Sequence, residues 1–152
     1  MKVAVAAVLA LLLLTPNAHA EDASTAAPAT SEPHEPGIGD IMAQQQDRHI
    51  KLWFAGRNGN WPLADYEVDK LKDGFEDVNK LIGGDTVDKA VGAAIAALEK
   101  AVDAKDRDAF ARGFDQLSGG CNSCHRTLDH AFIVIGRPTS LPFTNQRFVP
   151  EK

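Results

Sequence analysis

The chain has 152 residues, of which 44% are hydrophobic and 24% charged, and its formal charge is −5. That apolar content excludes wholesale disorder, the length fits one domain, and the acidic balance argues against a nucleic-acid binder, which needs a basic face. Two cysteines are too few for a disulfide-dense scaffold.

Residues 1–20 read as a signal peptide. Lys2 supplies the positive start, residues 3–14 are an unbroken apolar run, and Ala18-His19-Ala20 is a small-x-small cleavage site. The run is shorter than the roughly 20 apolar residues that span a bilayer, so export is expected without stable membrane insertion. Residues 21–36 are rich in Ala, Ser, Thr and Pro and carry acids but almost no bulky apolar side chain. Such a segment buries too little surface to offset its chain entropy and reads as a flexible leader. His34 lies in it and is expected to be solvated.

From Gly37 onward the apolar spacing is helical, with no sustained period of two. The first segment, residues 38–55, puts Ile38, Met42, Gln45, His49, Leu52 and Trp53 on one side, and residues 56–60 close it. The second, residues 62–82, opens with a proline suited to a first helical turn and spaces Ala64, Val68, Leu71, Phe75, Val78 and Ile82 by four and three. Gly83-Gly84 ends it, and Asp85 is placed to cap the third segment. That segment, residues 86–102, presents Val87, Val91, Ala94, Leu98 and Val102. A turn at residues 103–106 leads to the fourth, which carries Phe110, Phe114, Leu117, Cys121, Cys124 and Leu128. Short connections make consecutive helices antiparallel. The fold class is therefore all-α: an antiparallel up-down four-helix bundle over residues 37–132, with an extended C-terminal tail, residues 133–152, packing on it.

Gly119-Gly120 inside the fourth segment should cost about 1 kcal/mol each relative to alanine. Either the helix breaks there, or a large flat group lies against a bare backbone. Trp53, Phe54, Trp61 and Tyr66 are expected to pack around the first interhelical loop.

The chemistry is concentrated in Cys121-Asn122-Ser123-Cys124-His125. On a helix the two sulfurs and the imidazole fall within a sector of about 100°. Cys-x-x-Cys-His is the attachment pattern of c-type haem, one thioether through each cysteine with the adjacent imidazole reaching the iron. Three other readings compete. A thioredoxin-like pair wants a strand-helix-strand context, and none is visible. A zinc site needs about four ligands, and only His130 lies near enough to join these three. A disulfide between positions i and i+3 of a helix is geometrically awkward. One covalent haem c is the expected cofactor, and nothing in the sequence supplies a substrate-turnover centre.

An exported four-helix bundle with one Cys-x-x-Cys-His in its last helix resembles the class II cytochromes c, the cytochrome c-prime group. The resemblance covers about residues 37–132. It implies haem linkages at Cys121 and Cys124, with His125 as the proximal iron ligand. It further implies a periplasmic, often dimeric protein that passes electrons to redox partner proteins or binds gases such as NO and CO. Members usually end soon after the motif, whereas this chain continues for 27 residues past His125.

Low-spin members take a methionine from the start of the first helix as sixth ligand, and high-spin members leave that position open. Met42 is the only methionine after Met1. With helix ends aligned, His125 stands opposite about residue 44, some 3 Å along the axis from Met42 and 7.5 Å from His49 at a rise of about 1.5 Å per residue. Met42 is thus the expected distal ligand, and His49 a hydrogen-bonded histidine at the bundle edge. Arg48, Lys51 and Arg126 belong to a solvated face, with haem propionates as their alternative partners. The expected function is single-electron carriage. A gas-binding haem protein with an open distal side is the first alternative, and a haem-free thiol oxidoreductase or structural helical protein the second.

Overall fold

A computed structural model describes residues 35–151. The expected signal peptide and nearly all of the expected leader lie outside the described residues. Four helices follow in order: α1, Ile38–Asn58; α2, Trp61–Ile82; α3, Thr86–Asp103; and α4, Arg107–Thr127. No strand occurs among the described residues, and the chain is an all-α four-helix bundle. None of these helices is long and apolar enough to cross a membrane.

The helix ends follow from local chemistry. Asp40 accepts the Gly37 N–H at 3.0 Å across the first turn of α1. Gly59, at φ 74°, supplies the left-handed residue that ends α1. Asn60 caps α2 through its Oδ1 and the Leu63 N–H, with Pro62 in the first turn. Asn79 reaches from the end of α2 to accept the Val87 N–H at 3.1 Å, tying α2 to the start of α3. The turn at residues 103–106 has no glycine and uses Lys105 at φ 54° instead. Asp106 then caps α4 by accepting from the Asp108 and Ala109 amides, each at 2.9 Å.

Each helix packs on the next, whereas α1 and α4 touch at few places. One end of the bundle is filled with rings. Trp53 lies 4.9 Å from Phe114 and 6.4 Å from Phe110, and Trp61 meets Phe110 edge-on at 6.1 Å. Gly56 is bare where Phe110 presses on α1, and any Cβ there would overlap the ring. Tyr66, expected in this cluster, points to solvent instead, being 52% exposed. The opposite end of the bundle has no such plug.

The α4 helix runs unbroken through Gly119-Gly120. The two residues have different surroundings. Gly120 lies against α3, where a Cβ would run into the Ala90 carbonyl oxygen, while Gly119 faces open space. The pair is therefore no helix break, and the bare backbone at Gly120 is occupied by α3 rather than by a flat group.

After Thr127 the chain turns through Asp129, at φ 62°, and runs back as an extended strap. The Asn122 side chain donates to the Ile135 carbonyl at 2.8 Å and accepts the Ile135 N–H at 2.7 Å. Arg137 grips Asp115 with two bonds of 2.6 Å and lies 4.6 Å over the Trp53 ring. Farther on, Phe148 is buried against Phe54, and Lys51 sits 4.8 Å over Phe143. The strap thus joins α4 to α1 along the side where those helices barely meet.

Candidate functional site

Where the aromatic packing stops, the helices leave a partly open cavity of about 710 Å³. Its wall is formed by Met42, Gln45 and His49 from α1, Leu71, Phe75, Val78 and Ile82 from α2, and Val87 and Val91 from α3. Cys121, Cys124 and His125 of α4 complete one side, with Leu128, His130, Ile133 and Ile135 from the chain beyond it. The volume lies in the range of small-molecule and cofactor sites, and the lining is predominantly apolar. All the residues singled out from sequence as haem links or iron ligands, namely Cys121, Cys124, His125 and Met42, face this one space.

The cysteines are both free and half-buried. Burial pushes the Cys121 thiol up to about 11, with the neighbouring Cys124 adding to the effect, and burial also raises Cys124. A dithiol-exchange centre works through a depressed thiol pKa, so these cysteines are tuned in the opposite direction.

His125 is oriented by the strap. Its Nδ1 lies 2.9 Å from the Ile133 carbonyl, which can only accept, so Nδ1 carries the proton. In the neutral ring Nε2 then holds its lone pair free, the arrangement seen in metal-binding histidines whose other nitrogen donates to a carbonyl. His130 lies at the cavity rim and is exposed, with Nδ1 2.6 Å from the Leu128 carbonyl and its ring 5.7 Å from Phe132.

His49 is buried in the interior rather than at an edge. The Ser118 hydroxyl donates to the Phe114 carbonyl at 3.0 Å, so it accepts from the His49 Nε2–H at 2.9 Å. The His49 ring also packs 4.2 Å from Phe114, and its burial lowers the imidazole pKa to about 4. It is neutral at pH 7 and forms the roof of the cavity beneath the aromatic cluster.

This hydrogen bond also sets the register of α1 against α4. In antiparallel helices a step forward along one matches a step back along the other. His125 is seven residues beyond Ser118, and Met42 is seven residues before His49. Seven residues are two turns within about 20°, so each stays on the face of its helix that bears the bond, about 10 Å farther along. Met42 is thus level with His125. The Gly56–Phe110 approach has the same register to within one residue. The level of residue 44 expected from aligned helix ends is two residues out, because the ends are not flush: the same register puts Ile38 opposite residue 129, beyond the end of α4 at Thr127.

The basic side chains do other work. Arg48 pairs with buried Glu67 at 3.4 Å, Lys51 covers Phe143, and Arg126 is exposed. Among the described residues no group of three or more His, Cys, Asp and Glu side chains is gathered to hold a metal ion by itself. Sequence reasoning missed Ser118, Asn122 and the Ile133 carbonyl. The first had a signal in its spacing of four from Phe114. A carbonyl has none. Comparison of the chain with protein-family models, with curated proteins and with solved structures returns no match.

Proposed function

We propose that the chain is a c-type cytochrome of the class II kind, a single-electron carrier exported to the periplasm. One haem would be held in the bundle cavity through Cys121 and Cys124, with His125 as proximal and Met42 as distal ligand. The observation that carries this reading is the register: the helix face bearing Met42 stands level with His125 across a cofactor-sized apolar cavity that both line.

The residues present fit such a group. Two free thiols, three residues apart on one helix, lie on one wall of the cavity. Beside them is an imidazole whose outer nitrogen is already committed to a carbonyl. Bound iron would supply the one-electron couple, and ligation by the Met42 thioether would raise its potential. The protein's own part would be to hold His125 in one tautomer, to offer the Met42 sulfur as a ligand and to supply an apolar wall through Leu71, Phe75, Val78 and Val91. A net acidic surface would favour encounter with basic redox partners.

The test is an absorbance spectrum of the secreted protein, oxidised and reduced, together with its intact mass. Expected are a mass increased by one haem, no free thiol, and a low-spin spectrum with the sulfur-to-iron charge-transfer band. A high-spin ferric spectrum with rapid NO or CO uptake would replace electron carriage by gas binding. An unmodified mass with two free thiols would remove the cytochrome reading altogether.

A further inference from the structure

Asn122 is one of the two residues that the Cys-x-x-Cys-His spacing leaves free, and here its side chain is fully used. Its carboxamide donates to and accepts from the same residue's backbone, that of Ile135, at 2.8 and 2.7 Å. An amide offers a donor and an acceptor together; a carboxylate offers only acceptors, and alanine offers neither. Two residues before this clasp, the Ile133 carbonyl takes the His125 Nδ1–H at 2.9 Å. The loop between is closed by the His130 N–H on the His125 carbonyl at 2.7 Å and the Ile133 N–H on the His130 carbonyl at 2.9 Å. Ile133 is itself 42% exposed, so burial of its side chain does not fix its carbonyl. What fixes it is the clasp on one side and the turn on the other, with Arg137 on Asp115 holding the strap farther along.

We propose that Asn122 is a positioning residue: by clasping Ile135 it holds the Ile133 carbonyl against His125 and so sets the tautomer and orientation of that imidazole. This rests on the reading of His125 as the proximal ligand. A donated Nδ1–H makes Nε2 a stronger electron donor, which favours the oxidised iron. Asn122 thereby lowers the potential that Met42 raises.

The experiment uses full-length secreted protein as wild type, Asn122→Ala and Arg137→Ala, with three measurements on each. Amide exchange at residues 133–135 is expected to quicken roughly ten- to a hundredfold in Asn122→Ala, as two hydrogen bonds are lost while the helices stay protected. The reduction potential is expected to become more positive, and Arg137→Ala to shift it the same way by less. Faster exchange with an unchanged potential would overturn the proposal, as would unchanged exchange. If Asn122→Ala also loses protection in α4, Arg137→Ala decides, since it touches neither the motif nor the clasp. If the wild type carries no haem, the cytochrome reading fails separately. The third measurement, the imidazole nitrogen shifts of His125, then decides. An Nδ1–H tautomer in wild type that becomes mixed in Asn122→Ala supports positioning, and the same tautomer in both overturns it.

Discussion

Gly119→Ala is expected to stabilise the protein, and Gly120→Ala, one residue later, to destabilise it. At Gly119 a Cβ meets nothing within 4 Å, so the change keeps the helix-propensity gain of about 1 kcal/mol. At Gly120 the Cβ would overlap the Ala90 carbonyl oxygen and stand 3.0 Å from Val91 Cγ1. Overpacking of this kind costs about 1–3 kcal/mol, and the upper end applies because a backbone oxygen cannot swing aside as a side chain can. Against the same propensity gain, the net loss is about 2 kcal/mol. Urea unfolding would read both changes as midpoint shifts of opposite sign at constant slope. In thermal unfolding they would appear as a rise of about 3–5 °C and a fall of about twice that. Stabilisation by Gly120→Ala would refute the assignment of Gly120 to the α3 contact, and destabilisation by Gly119→Ala would refute the open space at Gly119. A loss at Gly119 confined to the haem-loaded protein would restore the idea of a flat group against that backbone.

On the cytochrome reading proposed above, Met42→Ala should leave the covalent haem in place and abolish the sulfur-to-iron band, giving a high-spin spectrum; retention of the band would exclude Met42 as ligand. His49 makes stability depend on pH. Its folded pKa, about 4, lies below the ordinary 6.5, so the unfolded chain binds the proton more tightly. Its contribution is therefore complete above pH 6.5 and falls by up to about 3 kcal/mol as pH drops to 4. The difference between wild type and His49→Gln in chemical unfolding at about pH 7 and about pH 4.5 isolates it from the carboxylates, and equal pH dependence would refute the cause. Arg48→Ala should cost about 1–3 kcal/mol by taking from Glu67, 2% exposed, its hydrogen-bonded cation and leaving Lys51 as the remaining nearby positive charge, whereas Glu67→Gln should cost less, as judged by denaturant midpoints.

Much of the bundle was legible because each helix buries one stripe. On α2, Ala64, Val68, Leu71, Phe75 and Val78 are all buried, as the four-three spacing requires. On α1 the pattern is less clean: Ile41 is buried, and Ile38, placed on the inner side, is 40% exposed at the cavity. That helix faces a neighbour on one side and an open space on another, so a single stripe does not describe it. Glu67 was invisible as a buried group because its acceptability depends on Arg48 from another helix. That Cys121, Cys124 and His125 share one face of a helix was legible from spacing alone, and all three line the cavity. Its setting was not: the strap reaches His125 through a backbone carbonyl, which every residue possesses and no sequence pattern marks. The fourth helix ends at Thr127, so the return begins before residue 133, where the apolar run had hidden the turn at Asp129.

The cavity is walled by all four helices, whose backbone bonds are internal, and by the strap beyond α4. Detaching residues 128–137 breaks a handful of hydrogen bonds and one ion pair while α1 to α4 keep their own. Partial opening of this kind needs only a fraction of the free energy of global unfolding. If the proposed haem is bound, detachment of the strap would open an entrance for it that leaves the aromatic end of the bundle undisturbed.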